Sequence, residues 1–147
     1  FAMTGWRVGF VFGPEELINA LANLQGQSTT GTSSISQWAA VAAFENADTI
    51  IPRNRVLMQK RRDALVSAFK KYFGKDILAP ESALYCFVPL SILGVQETES
   101  VAYCLKILQT KNVALVPGAP FGTEGYVRVS FGGEEHEIEE AIRRLAG

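Results

Sequence analysis

The stretch Tyr126-Val127-Arg128-Val129-Ser130-Phe131 decides how the second half of the chain folds. Side chains alternate between the two faces of a strand, so one face carries Tyr126, Arg128 and Ser130 and the other carries Val127, Val129 and Phe131. An entirely apolar face opposite a mixed one predicts a half-buried strand. Taken alone, this alternation favours a solvent-facing arginine at position 128.

The pattern predicts further elements on both sides of this strand. Two more strands are expected, at residues 84–89 and 113–116, and the second ends at Pro117-Gly118. Three helices are expected, at about 52–72 with Gly74 as its C-cap, at about 99–110, and at the end of the chain. Their predicted inward stripes are Met58, Leu65, Phe69 and Tyr72 in the first, Val101, Cys104, Leu105 and Leu108 in the second, and Ile138, Ala141, Ile142 and Leu145 in the third.

The first 50 residues have a different organisation. The β-branched and aromatic run at 7–12 predicts a buried strand, and the Gly13-Pro14 pair after it predicts a helix that ends at Gly26. A second helix is expected from about Ser34, with Ile35, Trp38, Ala39 and Ala42 facing inward. One strand and two helices are too few to close a core. We therefore expect a division near residue 50, with a compact α+β unit over 51–147.

Composition and charge exclude several classes of function. The chain has 147 residues, of which 48% are hydrophobic and 20% charged, as in an ordinary globular protein. Its formal net charge is −1, from 14 basic and 15 acidic side chains, so neither a nucleic-acid partner nor a polybasic membrane contact is predicted. The apolar runs are shorter than the roughly 20 residues of a membrane span, and no signal peptide is visible.

The two cysteines and the lone histidine have no metal-site spacing. Cys86 and Cys104 lie in apolar segments and are expected to be buried free thiols, which suits a reducing cytoplasm. His136 lies among glutamates at the start of the last helix and is expected to face solvent. Because the sequence begins with Phe1 rather than Met and runs directly toward a strand, we expect it to be a fragment.

Residues 1–9, Phe-Ala-Met-Thr-Gly-Trp-Arg-Val-Gly, carry a resemblance to a known family. They are similar to the segment that follows the cofactor lysine in aspartate aminotransferases, where Ser-Lys and five variable residues precede Gly-x-Arg-x-Gly. By position, the resemblance implies that Arg7 binds the phosphate of pyridoxal 5'-phosphate. The lysine itself would lie two positions before Phe1, and no lysine from Lys60 to Lys111 stands at that position.

The resemblance continues through the rest of the chain in the correct order. It covers residues 27–40, similar to a polar stretch near the family's dimer interface, and residues 116–122, Val-Pro-Gly-Ala-Pro-Phe-Gly, similar to its VxPGxxFG loop. The segment at 126–131 resembles the family element whose arginine binds the substrate α-carboxylate, which implies that role for Arg128. At 78–85, Ser82 replaces a usual glycine and Leu84 a usual aromatic residue, so substrate preference is not implied.

The resemblance implies a fold and an activity. The fold is the α+β small domain of a fold type I pyridoxal-phosphate enzyme, at 51–147, preceded at 1–50 by one strand and two helices from the α/β large domain. The activity is that of an aspartate-type aminotransferase, which transfers an amino group from an amino acid to a 2-oxo acid, in a cytoplasmic homodimer. The two arginines are expected to bind opposite ends of one cofactor–substrate adduct. The isolated fragment is expected to be inactive because it lacks the cofactor lysine.

Two alternatives remain open from the residues. Lyases, decarboxylases and racemases share this architecture, so the same fold is compatible with a different reaction. A non-catalytic α+β module that binds amino acids or mediates dimerisation is also compatible with the pattern. The second alternative predicts no phosphate affinity at Arg7.

Overall fold

The computed structural model describes residues 1–96 and 99–147, and these form two compact units. Unit 1 is Phe1–Arg55 and unit 2 is Val56–Gly147. The helices are α1 (Glu15–Ser28), α2 (Ser34–Glu45), α3 (Ala47–Phe73), α4 (Ser100–Lys111) and α5 (Glu135–Ala146). The strands are β1 (Tyr85–Pro89), β2 (Val116–Pro117) and β3 (Tyr126–Ser130), and short 3₁₀ turns occupy Thr4–Trp6 and Ala119–Phe121.

The strand predicted at 7–12 is wrong for this chain. Residues 7–14 form no regular secondary structure, and Arg7 has a left-handed backbone with φ of 55° after the 3₁₀ turn. A strand needs a neighbour to pair its backbone N–H and C=O groups, and unit 1 contains no other strand. The segment has the apolar composition of a strand, but unit 1 contains no sheet that it could join.

Both helices of unit 1 begin where the sequence predicts, but α1 does not stop at Gly26. Pro14 precedes α1 and Glu15 opens its first turn, as suits a helix N-terminus. A glycine inside a helix costs only about 1 kcal/mol, so α1 continues through Gly26. It ends where the carbonyl of Gln25 accepts the N–H groups of Thr29 and Thr30, at 3.0 and 2.9 Å, with Thr30 in the left-handed region.

Unit 1 encloses almost no core, as expected for so few elements. The predicted inward face of α2 is wrong, because Ile35 is 73% and Trp38 75% exposed, whereas Ala40 and Ala43 are buried. Unit 1 has few elements that could cover large side chains on α2, so only small ones are buried there. Large apolar side chains that remain exposed in unit 1 include Trp6, Phe10, Val11, Phe12, Leu17, Leu24 and Phe44.

Unit 2 is built on a three-stranded antiparallel sheet in the order β1-β3-β2. The register pairs Phe87 of β1 and Val116 of β2 with Arg128 of β3, so Arg128 lies at the centre of the sheet. The alternation predicted for β3 is confirmed, since Val127 and Val129 are buried. These two valines belong to a core that also contains Leu65, Phe69, Cys86, Val88, Leu90, Tyr103, Ile107, Phe131, Ile138, Ile142 and Leu145.

The helices of unit 2 confirm some predicted stripes and correct others. The predicted stripe of α5 is confirmed, and Gly74 ends α3 in the left-handed region as expected. The stripe predicted for α4 is correct only at Cys104, because Ser100, Tyr103 and Ile107 are buried beside it, whereas Val101, Leu105 and Leu108 are exposed. Both sides of α4 carry apolar residues at helical spacing, so only packing decided which side is inward.

The boundaries of two elements also differ from the prediction. Helix α3 begins at Ala47 rather than near Pro52, which lies inside it, because the Asn46 carbonyl accepts the N–H groups of Thr49 and Ile50. Strand β2 is Val116–Pro117, so it begins three residues later and ends one residue later than predicted. Within the described ranges, no helix combines the length and the apolar character that crossing a bilayer would require.

Candidate active site

Arg7 lies immediately after the 3₁₀ turn and is exposed. Its guanidinium Nη1 donates to the Thr4 carbonyl at 3.1 Å, and its backbone N–H donates to the same oxygen at 3.3 Å. The φ of 55° is a conformation that non-glycine residues adopt at a cost of order 1 kcal/mol. No carboxylate of unit 1 forms an ion pair with Arg7. The side chain is thus tied to its own turn while most of its N–H donors remain available.

Arg7 lines an open cleft of about 480 Å³ together with hydroxyl side chains. These come from the end of α1 and the start of α2, and they are Thr29, Thr32, Ser33 and Ser36. Ser33 is the N-cap residue of α2 but makes no side-chain cap bond, so the first N–H groups of that helix have no hydroxyl partner there. A guanidinium, several hydroxyls and a helix N-terminus are the donor set that binds a phosphate dianion.

Sequence reasoning identified Arg7 but not the hydroxyl residues beside it. The stretch 27–34 was interpreted as a solvated loop with a helix cap, and by resemblance as part of a dimer interface. A run of serines and threonines between two helices also predicts a phosphate cradle when an arginine is near in space. That proximity is a tertiary property, and residues 7 and 29–36 are too far apart in sequence for a local pattern to reveal it.

Arg128 is half-buried and packs against aromatic rings. Its guanidinium carbon lies 4.2 Å from the ring centroid of Tyr85 and 4.9 Å from that of Phe121. Its Nε is buried and has no hydrogen-bond partner. Among residues 1–96 and 99–147, no carboxylate forms an ion pair with Arg128, whereas Arg61, Arg62, Arg143 and Arg144 all have one. Arg128 therefore lies on the outer face of the sheet, as the alternation predicts, but these two rings partly cover its side chain.

The loop that carries Phe121 is closely packed. A Cβ on Gly118 would lie 2.1 Å from the Thr123 carbonyl oxygen and 2.7 Å from that of Tyr126, so only glycine fits between them. The Gly118 N–H donates to the Tyr126 carbonyl at 2.9 Å, and its own carbonyl accepts the Phe121 N–H at 2.9 Å. This packing explains why a glycine follows β2 directly.

A second set of hydrogen bonds ties this loop to α4. The Ala119 N–H donates to Ser100 Oγ at 3.1 Å, and the Ser100 N–H donates to Glu124 Oε1 at 2.5 Å. Glu124 also accepts the Gly125 N–H at 3.2 Å. Hydrogen bonds from Ser100 and Gly125 lower the pKa of the Glu124 carboxyl. Glu124 thus caps α4 from the loop, a role that the sequence analysis did not assign to it.

The remaining candidate groups have no catalytic surroundings. Cys86 and Cys104 are buried free thiols, as predicted, and burial raises the pKa of both. His136 is exposed, as predicted. Ser82 is exposed and Leu84 half-buried, with the Leu84 carbonyl accepting the Phe131 N–H at 2.9 Å. In the described part of the chain, no three His, Cys, Asp or Glu side chains are grouped as metal ligands.

Arg7 belongs to unit 1 and Arg128 to unit 2, and each has its own neighbours. The cleft beside Arg7 is lined by hydrogen-bond donors, and Arg128 has no carboxylate partner among the described residues. The family profile described as "Aminotransferase class I and II" matches residues 1–145, so the chain belongs to that family. Its members are pyridoxal-phosphate-dependent enzymes of fold type I, which confirms the resemblance noted from the motifs.

The chain is also similar to individual relatives and solved structures. It is 37% identical to an aspartate aminotransferase of Rhizobium meliloti (strain 1021), over 99% of this chain and 37% of the relative. It is 37% identical to a probable aspartate/prephenate aminotransferase of Rhizobium leguminosarum bv. phaseoli, over 99% and 38%. The crystal structure of Thermus thermophilus aspartate aminotransferase with maleate matches with a TM-score of 0.80 at 34% identity, over 99% and 38%. The chain thus spans less than two fifths of the length of these relatives.

Proposed function

We propose that this chain is the carboxyl-terminal part of a pyridoxal-phosphate-dependent amino-acid aminotransferase that transfers an amino group to a 2-oxo acid. The observation that carries the proposal is Arg128, a half-buried guanidinium with a buried Nε that has no hydrogen-bond partner. A charged group in this setting is costly unless an anion pairs with it. The α-carboxylate that amino acids and 2-oxo acids share supplies that anion, and a guanidinium binds it through two parallel N–H···O bonds.

In this proposal Arg7 binds the cofactor phosphate. The hydroxyls of Thr29, Thr32, Ser33 and Ser36, which line the same cleft, supply further donors. When bound, pyridoxal phosphate supplies the electron sink that allows the α-proton of an amino acid to be removed. The contribution of Arg128 is orientation, since a bidentate grip fixes the carboxylate and with it the direction of the bonds at the α-carbon.

The proposed domain organisation follows the family. Residues 1–50 belong to the cofactor-binding large domain, and residues 51–147 form the small domain with its long connecting helix. The compact units Phe1–Arg55 and Val56–Gly147 support this division, as does the nearly coreless character of the first. The exposed apolar side chains of unit 1 also support burial against the rest of a homodimeric enzyme.

Sedimentation analysis of the whole protein tests whether it is a dimer. Cell fractionation tests the cytoplasmic location that the free thiols favour.

The role of Arg128 is tested in the whole protein with aspartate and 2-oxoglutarate as substrates. We expect Arg128→Leu to lower kcat/KM by about 100-fold, because losing one partner of a desolvated charge pair costs about 2–5 kcal/mol. Arg128→Lys should recover only part of the loss, since an ammonium cannot form the two parallel bonds. The matched control is Arg144→Leu, an exposed arginine of the same unit. An unchanged kcat/KM in folded Arg128→Leu contradicts the assignment.

The role of Arg7 is tested by comparing two ligands. Pyridoxal phosphate and pyridoxal differ only in the phosphate, and their binding is followed by absorbance. Arg7→Leu should weaken binding of the phosphorylated form alone, and the control Arg53→Leu, another exposed arginine of unit 1, should weaken neither. If Arg7→Leu weakens the binding of both ligands equally, Arg7 does not bind the phosphate.

Two further assays separate the proposal from its rivals. β-Elimination substrates distinguish a transaminase from a lyase of the same fold. The 147-residue chain by itself is expected to show no transamination with added cofactor, because it contains no lysine at the position that carries the cofactor. Activity of that chain would refute this expectation.

A further inference from the structure

Arg128 packs against two aromatic rings, whereas the buried Arg61 and the partly exposed Arg62 are each paired with an acid. We propose that Tyr85 and Phe121 are positioning residues that hold the guanidinium of Arg128 by its face and leave its N–H edge to the substrate carboxylate. The inference rests on the proposed function and adds the residues that prepare Arg128 for binding. It also assigns a function to two aromatic side chains that are 38% and 49% exposed.

Tyr85 reaches Arg128 from the neighbouring strand. It is paired with Ser130, one pleat beyond Arg128 on β3, and its side chain shares the outer face of the sheet because Cys86 and Val88 occupy the buried face. Diagonal neighbours across two strands are within reach of long and aromatic side chains. The 4.2 Å between the guanidinium carbon and the ring centroid is well inside the range of a cation–π interaction.

Phe121 reaches Arg128 from the loop after β2. Its backbone N–H donates to the Gly118 carbonyl, and the 3₁₀ turn that Phe121 ends is tied to α4 by the hydrogen bond from the Ala119 N–H to Ser100 Oγ. Its ring packs edge-on against Phe87, with centroids 5.8 Å apart and an interplanar angle of 84°. Phe121 is therefore braced from two sides, although nearly half of its surface is exposed.

The electrostatics of this arrangement differ from those of an ion pair. The face of an aromatic ring is negative and attracts the face of the planar guanidinium, whereas the N–H donors lie in the guanidinium plane. A ring therefore orients the group without occupying its donors. A carboxylate would occupy those donors and would have to be displaced by each incoming substrate. Ring-held Arg128 stays free to bind an amino acid and release a 2-oxo acid in turn.

The test measures carboxylate binding in the whole, cofactor-loaded protein. The probe is 3-phenylpropanoate, which has a carboxylate but no amino group to react, and its neutral amide serves as the uncharged comparison. Calorimetry gives the dissociation constants, and steady-state kinetics give KM and kcat. We expect Tyr85→Leu and Phe121→Leu each to weaken carboxylate binding about threefold, and the double variant about tenfold, with KM rising and kcat nearly constant. Binding of the amide should not change.

Two controls separate positioning from folding. Tyr85→Phe keeps the ring and should bind the carboxylate as the wild type does. Tyr126→Leu removes an equally exposed ring of the same sheet that packs against Phe87 and makes no cation–π contact with Arg128, and it should leave binding unchanged. Loss in Tyr85→Phe, or equal loss in Tyr126→Leu, would overturn the inference.

The inference and the proposed function fail in different ways. If Arg128→Leu abolishes carboxylate binding while the Tyr85 and Phe121 variants bind normally, only the positioning role is wrong. If Arg128→Leu binds the probe normally, the carboxylate site itself is wrong. If the leucine variants weaken the amide as much as the carboxylate, the rings bind the ligand directly and the positioning role is again overturned.

Discussion

Replacing Gly118 by alanine should destabilise the part of the sheet that surrounds Arg128. The new Cβ would lie 2.1 Å from the Thr123 carbonyl oxygen and 2.7 Å from that of Tyr126, and both obstacles are backbone atoms. Non-bonded heavy atoms are most stable at roughly 3.5–4.0 Å, so the backbone must open by more than about 1 Å. The backbone conformation of Gly118 is ordinary, with φ of −76°, so the cost comes from space alone.

The magnitude follows from what that opening breaks. Overpacking of a closely fitted site costs about 1–3 kcal/mol. The hydrogen bonds from the Gly118 N–H to Tyr126 and from the Phe121 N–H to Gly118 lie in the same turn, and each contributes about 1 kcal/mol. Since the two costs overlap, we expect a loss of about 3 kcal/mol in the local free energy of opening.

Hydrogen exchange measured by mass spectrometry localises this effect. Peptides that cover residues 116–131 should exchange about 100-fold faster in Gly118→Ala than in the wild-type protein, because 1.4 kcal/mol corresponds to a factor of ten. The matched control is Gly132→Ala, whose Cβ would meet Ser130 Oγ at an ordinary 3.5 Å and should change exchange little. Exchange rates in Gly118→Ala within about threefold of wild type would refute the steric account.

Three further predictions concern unit 2. Arg61→Met should lower the free energy of unfolding by about 2 kcal/mol in urea titrations. Arg61 is buried, and its guanidinium donates to the Gly132 carbonyl and the Glu134 carboxylate, which precede α5. The control Arg62→Met should cost less than about 0.5 kcal/mol. Hydrogen bonds from Arg143 and Arg144 lower the pKa of Glu140 from 4.5 to about 2. The ionised Glu140 carboxylate therefore stabilises the fold fully above pH 4.5, and this stabilisation is lost as the pH falls toward 2. A stability difference between wild type and Glu140→Gln that grows on acidification would contradict this. Both buried cysteines should resist maleimide near neutral pH and react after unfolding, and rapid labelling of the native protein would be inconsistent with their raised pKa.

Local patterns predicted unit 2 better than unit 1. The alternation of β3 and the stripe of α5 follow from short-range periodicity, because each element packs against a core supplied by its own unit. The segment at 7–12 has the composition of a strand, but unit 1 supplies no partner. In α4, both sides carry apolar residues, so periodicity alone did not select the side with Tyr103 and Ile107.

The candidate site was likewise predicted only in part. Arg7 and Arg128 were identified from motifs, since their sequence neighbours match the family's pattern residue by residue. Their surroundings were not predicted, because the hydroxyls near Arg7 and the rings near Arg128 are distant along the chain. Glu124 was also missed, since a carboxylate that caps a helix 24 residues away leaves no local signal.

The sequence by itself determined the family, the order of most helices and strands, and the two arginines on which the proposed chemistry depends. These are properties of neighbouring residues, namely periodicity, turn composition and motif spacing. The tertiary structure decided which face of α4 is buried, why only glycine fits at 118, and that Arg128 is held by Tyr85 and Phe121 without a carboxylate among the described residues. Each of these depends on atoms brought together by packing, and packing is set by the whole fold rather than by any single segment.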